Sequence, residues 1–180
     1  NAKVPAIDDD GVTVFDSNAI LLYLAEKTGK FLPANTPANR AELLSWLMFV
    51  ASGIGPFLGQ AVHFKHYAPE KIDYANNRYQ YEAQRHLTIL DQRLASRRYM
   101  LGDTYTIVDM GVWGWTRLIP LVLGEAGFAK LPNVKRLTDE ISARPAAAKA
   151  VALKDKFKWK AEMDDEARAN MFKHLAVKVA

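Results

Sequence analysis

Residues 105–119 read Y-T-I-V-D-M-G-V-W-G-W-T-R-L-I, and the reading of this stretch decides the fold. Thr106 and Asp109 are spaced as a capping box: the Thr106 hydroxyl faces the Asp109 N–H, and the Asp109 carboxylate reaches back to the Thr106 N–H. Tyr105 and Met110 fall at the hydrophobic staple positions on either side. The residues that follow include Trp113, Trp115, Leu118 and Ile119. The spacing predicts a buried core helix from Thr106 to about Val122, its cap contributing about 1 kcal/mol. Asp109 is therefore read as structural, since no second acid or base stands at a spacing from it that would serve catalysis.

Helical spacing continues on both sides of this core. Leu43, Leu44, Leu47, Met48 and Ala51 mark a helix over 38–60, which Gly53, Gly55 and Pro56 are expected to bend or break. Pro69 opens a long amphipathic run through Leu87, Leu90, Leu94 and Ala95, proline being favoured in a first helical turn. Shorter helices are expected over 132–143 and from Pro145, and a last one from Asp164 to Leu175.

The opening residues follow another period. Val4–Ile7 and Val12–Phe15 have strand preference and are joined by the turn Asp8-Asp9-Asp10-Gly11, so they read as a β-hairpin. A helix follows, with Ser17 as the expected N-cap and Gly29 as its stop. Residues 31–37 are a proline-interrupted linker. The expected organisation is a partial α/β unit over 1–30, this linker, and an all-helical domain over 38–180. An isolated hairpin has open edges and marginal stability, so its strands call for partners. Asn1 stands where an initiator methionine would and runs at once into Val4-Pro5-Ala6-Ile7, as if in the middle of a fold, so preceding residues are expected.

Composition narrows the class. At 180 residues, 49% hydrophobic and 24% charged, the chain suits about one globular domain. Asp109 and Arg117 interrupt the longest apolar runs well short of the ~20 residues that a spanning helix needs. Zero cysteines exclude disulfide staples, thiolate zinc sites, iron–sulfur clusters and a cysteine nucleophile, and suit a reducing compartment, hence the cytoplasm. Of the net charge of +4, residues 149–180 supply most, with eight Lys/Arg against five Asp/Glu. Mixed in this way, the tail reads as a solvated helix face, and no nucleic-acid or membrane partner is expected. His63 and His66 are three apart without a third ligand, so no metal site is expected. Gly53-Ile54-Gly55 lacks the context of a phosphate loop.

One constellation has two readings. Val4-Pro5 stands before a strand, and Asp16-Ser17 stands about ten residues later at a helix start. A cis Val4–Pro5 bond would turn the Val4 N–H and C=O toward an extended ligand, while the helix N-terminus would suit a carboxylate and Asp16 an ammonium group. The other reading is a plain N-cap after a strand, and spacing alone slightly favours it.

The stretches N-A-K-V-P-A-I at 1–7, F-D-S-N-A-I-L-L-Y-L-A-E-K at 15–27 and Y-T-I-V-D-M at 105–110, in this order, resemble the cytosolic glutathione transferases. P-F-L-G-Q at 56–60, H-F at 63–64, A-P at 68–69 and N-R-Y-Q at 77–80 are most similar to the bacterial nu class, whose members include glutathione-dependent disulfide-bond reductases. The resemblance implies a mainly α fold: the C-terminal part of a thioredoxin-like α/β domain, followed by an all-α glutathione-transferase helical domain.

By the same resemblance, Val4 pairs through its backbone with the cysteinyl part of glutathione, Pro5 is cis, Asp16 and Ser17 hold the γ-glutamyl end, and Lys3 lies beside the glycyl end. Arg78 matches a position that reaches the ligand of a neighbouring subunit, which implies a homodimer. The family usually has Glu at the place of Asp16, so the contact to the ammonium is one methylene longer to bridge. The residue that activates the glutathione sulfur is expected before Asn1. The second substrate is an electrophile, disulfide or peroxide, and Trp46, Phe49, Phe57, Phe64 and Tyr67 are candidates to line its pocket, aromatics at helical spacing being otherwise core. The alternative is a non-catalytic binding or assembly module of the same family.

Overall fold

The structure, a computed structural model, describes residues 4–158, 160 and 164–173. Strands β1 (Ala6–Asp9) and β2 (Val12–Phe15) form a hairpin, antiparallel with Ala6 opposite Phe15 and Asp9 opposite Val12; β1 starts two residues later than the expected Val4 and takes in Asp8 and Asp9, expected in the turn. Asp10 and Gly11 turn the chain with φ of 53° and 86°, the left-handed pair that matches strand twist in a two-residue loop. Helix α1 (Ser17–Thr28) follows, and Gly29 ends it at φ 65° with its N–H on the Ala25 carbonyl. The cap differs from expectation. Asp16, not Ser17, is the N-cap: its Oδ1 accepts the N–H of Asn18 at 2.9 Å and of Ala19 at 3.3 Å. Ser17 is already the first helical residue, because Asp16 makes the left-handed turn out of β2 and its side chain then points along the new axis. Asp9 locks the hairpin onto α1 by accepting from the Tyr23 hydroxyl at 2.7 Å and pairing with Lys27.

Helix α2 (Pro37–Phe49), a π turn at Val50–Ile54, α3 (Gly55–Val62) and a second π turn at His63–Tyr67 run on without interruption. The helix, expected to bend or break at Gly53, Gly55 and Pro56, does not break there but widens into the π turn. The Gly55 N–H reaches back to the Val50 carbonyl, and this wider turn makes room for the proline ring, which would otherwise meet a carbonyl one turn earlier. The unbroken helix of 31 residues is long and apolar enough to cross a membrane by length and composition alone. Its apolar face is instead core: Leu43, Leu47, Val50, Ile54, Leu58 and Ala61 are all buried.

Helix α4 (Asp73–Leu94) packs against α3 and α7 (Pro132–Ser142); Pro69, expected in its first turn, instead lies in a bend four residues before it. The core helix is two helices, α5 (Ile107–Thr116) and α6 (Ile119–Leu123). Pro120 explains the split: it has no N–H to donate, and its ring opposes the Thr116 carbonyl four residues back. Helix α8 (Pro145–Ala152) and the short α9 (Asp165–Met171, capped by Asp164 on the Ala167 N–H) complete the described fold. The expected last helix ran to Leu175; α9 ends at Met171, and residues from His174 lie outside the described ones.

The Thr106 box forms and is wholly buried. Asp109 Oδ2 accepts the Thr106 N–H at 2.8 Å and its hydroxyl at 3.0 Å, while Oδ1 accepts the Met100 N–H at 2.7 Å. Burial pushes the Asp109 carboxyl above its ordinary value, and these donors oppose the shift. Helix α1 lies against α5, where Gly111 leaves room for the buried Asn18: a Cβ there would stand 3.1 Å from Asn18 Oδ1.

Candidate functional site

Antiparallel pairing of Ala6 with Phe15 brings the start of β1 and the end of β2 to the same end of the hairpin, so Val4-Pro5 and Asp16-Ser17 gather there. The Val4–Pro5 bond is cis, and Val4 is 94% exposed, its backbone at the head of β1 open to an extended ligand. Asp16 holds φ 71° and ψ 128°, a conformation that costs a non-glycine residue of order 1–3 kcal/mol and that tends to persist where a site needs it. Its Oδ1 is committed to the α1 cap, which leaves Oδ2 for a cation. Ser17 is exposed, and its hydroxyl bonds to no described residue. An acid oxygen and a hydroxyl at a positive helix terminus can receive an ammonium and a carboxylate carried on one carbon. Lys3 lies outside the described residues.

Arg78 is not part of this cluster. It stands on α4, where Nη1 donates to Glu82 Oε1 at 2.5 Å. Glu82 is the residue the sequence reading missed: its side chain is only 8% exposed, and Oε2 accepts from Arg85 Nε at 2.8 Å. The Arg85 hydrogen bond and the charges of both arginines hold the Glu82 carboxyl below its ordinary value. Arg78 and Glu82 are four residues apart on a helix, a spacing common in surface pairs, so the pattern gave no sign of burial.

A cavity of about 590 Å³ opens along the small-residue face of α3 and is lined by Gly55, Gly59, Gln60, His63, Trp115 and Phe172, among others. Of the aromatic residues picked out by spacing, Tyr67 lines it. The others serve as packing: Phe49 and Phe57 flank the His86 ring at centroid distances of 5.3 and 4.6 Å, Trp46 meets Phe49 edge-on, and Phe64 stacks on Tyr79. Trp115 reaches the cavity because Gly55 offers no side chain, a Cβ there standing 3.0 Å from the indole. His66 Nε2 lies 2.9 Å from the Leu121 carbonyl at the end of α6, and Lys65 bonds the Val122 carbonyl beside it. Among the described residues no three His, Cys, Asp or Glu side chains gather as metal ligands.

Residues 54–145, from the second half of the long helix to the start of α8, match the family described as glutathione S-transferase, C-terminal domain. The chain belongs to the glutathione transferase family. It is similar to two proteins of Escherichia coli (strain K12). To the disulfide-bond oxidoreductase YfcG it is 41% identical over 173 residues, 92% of this chain and 76% of that protein. To the disulfide-bond oxidoreductase YghU it is 44% identical over 156 residues, 81% of this chain but only 54% of that protein. The chain thus spans about half the length of YghU. Among solved glutathione transferases, YghU from Streptococcus pneumoniae, complexed with glutathione, superposes with a TM-score of 0.76 at 42% identity, over 84% of this chain and 61% of that one. The glutathione-transferase fold is therefore established here: the C-terminal part of a thioredoxin-like domain, represented by β1, β2 and α1, and the helical domain from α2 onward.

Proposed function

We propose that this protein binds glutathione at the hairpin end and uses the glutathione thiol to reduce disulfides. The observation that carries the reading is the convergence at one end of β1–β2 of an exposed backbone at Val4, an acid oxygen on Asp16 and a hydroxyl on Ser17, in a chain 41–44% identical to disulfide-bond oxidoreductases. The γ-glutamyl ammonium meets Asp16, its carboxylate meets Ser17, and the cysteinyl unit pairs with the Val4 backbone, with Lys3 beside the glycyl carboxylate. Held in this way, the glutathione thiolate attacks one sulfur of a disulfide R–S–S–R: a mixed disulfide forms, the S–S bond breaks, and the leaving thiolate takes up a proton. A second glutathione resolves the mixed disulfide to oxidised glutathione and the second thiol. The protein needs no cysteine of its own for this. The cavity along α3 takes the second substrate, and the same thiol there serves transfer to an electrophile or reduction of a peroxide.

The working form is a homodimer in the cytoplasm. Phe15 and Met48, 62% and 51% exposed, border an apolar groove of about 560 Å³ between β2, α1 and α2, beside Asp16. Exposed large apolar groups around such a groove suit a second copy, which brings its own Arg78 toward the ligand. A domain organisation of 1–30, 31–37 and 38–180 places the glutathione contacts in the first unit and Arg78 with the α3 cavity in the last.

The test is to titrate glutathione into the protein as the cell makes it and then assay glutathione-dependent reduction of a small aromatic disulfide. Saturable binding with turnover supports the reading. Absence of binding overturns it, and binding without turnover of a disulfide, a peroxide or an aryl halide leaves a non-catalytic module.

A further inference from the structure

Glu82 is a carboxylate in an unusual place. Its side chain is nearly buried on α4, yet its partners Arg78 and Arg85 are each about half exposed. A carboxylate taken out of water is costly unless each oxygen is satisfied, and here the two oxygens are divided, Oε1 to Arg78 and Oε2 to Arg85. Behind it, His86 Nδ1 lies 2.7 Å from the Glu82 carbonyl, and Nε2 lies 3.4 Å from Arg85 Nη2. A carbonyl only accepts, so Nδ1 carries a hydrogen and donates it to the Glu82 carbonyl. The imidazole has no freedom to move: Phe49 and Phe57 flank it, and Gly53 presses on its edge so closely that a Cβ would stand 2.8 Å from Cδ2.

The result is a rigid base for one flexible side chain. An arginine aims its fork only when something holds it, since the free side chain samples many rotamers. Glu82 holds Arg78 by Nη1 alone and leaves Nε and Nη2 without a described partner, while the two arginines outweigh the one carboxylate and keep a net positive charge at the surface. We propose that Glu82 is a positioning residue for Arg78: braced by Arg85 and His86, it presents the guanidinium, already oriented, to a carboxylate of the glutathione held by the neighbouring copy. This rests on the assignment of Arg78 to that ligand in the function proposed above. Arg85 prevents Glu82 from turning wholly to Arg78, and so preserves the donors that the ligand needs.

A four-cornered comparison tests it: the native protein, Arg78→Ala, Glu82→Gln and the double variant, each titrated with glutathione by calorimetry, melted, and sedimented for its oligomeric state. Arg78→Ala is expected to weaken binding about tenfold, and Glu82→Gln about three- to tenfold, but Glu82→Gln should add nothing once Arg78 is gone, since coupling of this kind marks residues that act as a unit. A structural role alone would lower the melt and weaken binding equally in both backgrounds, and that result overturns the proposal. So does a Glu82→Gln protein that binds as the native one does while Arg78→Ala is weakened. Native affinity in Arg78→Ala would overturn the Arg78 assignment itself, and the positioning role with it. Should Glu82→Gln not fold, Glu82→Asp takes its place in the same comparison, because it keeps the charge but withdraws it from Arg78 by one methylene.

Discussion

Asp16 Oδ1 accepts the Asn18 N–H at 2.9 Å, so the acid placed to meet a ligand also starts the helix on which that ligand would rest. The two duties divide between its oxygens. Asp16→Asn keeps a capping oxygen and loses the charge, so the melting temperature should hold within a few degrees while glutathione affinity falls. Asp16→Ala should lower both, with about 0.5–2 kcal/mol lost from the cap. Calorimetric titration beside a melting curve checks each variant.

Ser17 is now freed from the cap. Ser17→Ala is expected to leave the melt almost unchanged and to weaken glutathione binding about tenfold or more, as befits the loss of a charge-assisted bond of roughly 1.5–3 kcal/mol. An unchanged affinity would remove Ser17 from the site.

Acid should loosen the hairpin from α1. The Lys27 hydrogen bond, and after it the Tyr23 bond, hold the Asp9 carboxyl below its ordinary value of 3.8. A carboxylate with a depressed folded value contributes stability that is complete above its unfolded value and is lost as pH falls through the folded one. The difference in melting temperature between the native protein and Asp9→Asn should therefore be constant above pH 5 and shrink below about pH 4. Melting curves from about pH 2.5 to about pH 7, on both sides of that value, measure it.

Two glycines of the long helix should respond in opposite ways to alanine. At Gly53 a Cβ meets the His86 ring at 2.8–2.9 Å, a ring that Phe49 and Phe57 keep from yielding, so Gly53→Ala should cost about 1–3 kcal/mol. At Gly59 a Cβ meets nothing within 4 Å, so Gly59→Ala should stabilise the helix by up to about 1 kcal/mol. Gly59 also lines the α3 cavity, and the added methyl should reduce kcat/KM for a bulky disulfide by roughly tenfold while glutathione affinity stays as it was. Denaturant titrations and steady-state kinetics with two disulfides of different size would show both effects.

Asp109 carries three accepted bonds in a fully buried place. Asp109→Ala should cost at least about 3 kcal/mol, since it removes a cap and strands the Met100 and Thr106 donors. Asp109→Asn, able to replace only one of the two oxygens, should fall between. Equilibrium unfolding in urea provides the measure.

Whatever depends on residues a few positions apart was legible in the sequence. The existence of the hairpin, its second strand, the stop at Gly29 and the Thr106–Asp109 box are local bargains between neighbouring backbone and side-chain groups, and each was legible; the turn is tighter than expected, two residues rather than four, because Asp8 and Asp9 pair across to Thr13 and Val12. The kinship of the chain was legible for the same reason, because its motifs are short and contiguous. Tertiary packing decided the rest. Gly53, Gly55 and Pro56 read locally as a bend or break, and the π turn that carries the helix past Pro56 sits where His86 and Trp115 of other helices come close to Gly53 and Gly55. The choice of Asp16 over Ser17 as cap followed from the direction in which β2 delivers the chain, and the split at Arg117–Leu118 from a proline whose effect falls one turn upstream. Above all, the burial of Glu82 has no local sign. Its spacing from Arg78 is that of any solvated ion pair, and only the packed helices around α4 take that side chain nearly out of water, where Arg78 and Arg85 each hold one of its oxygens.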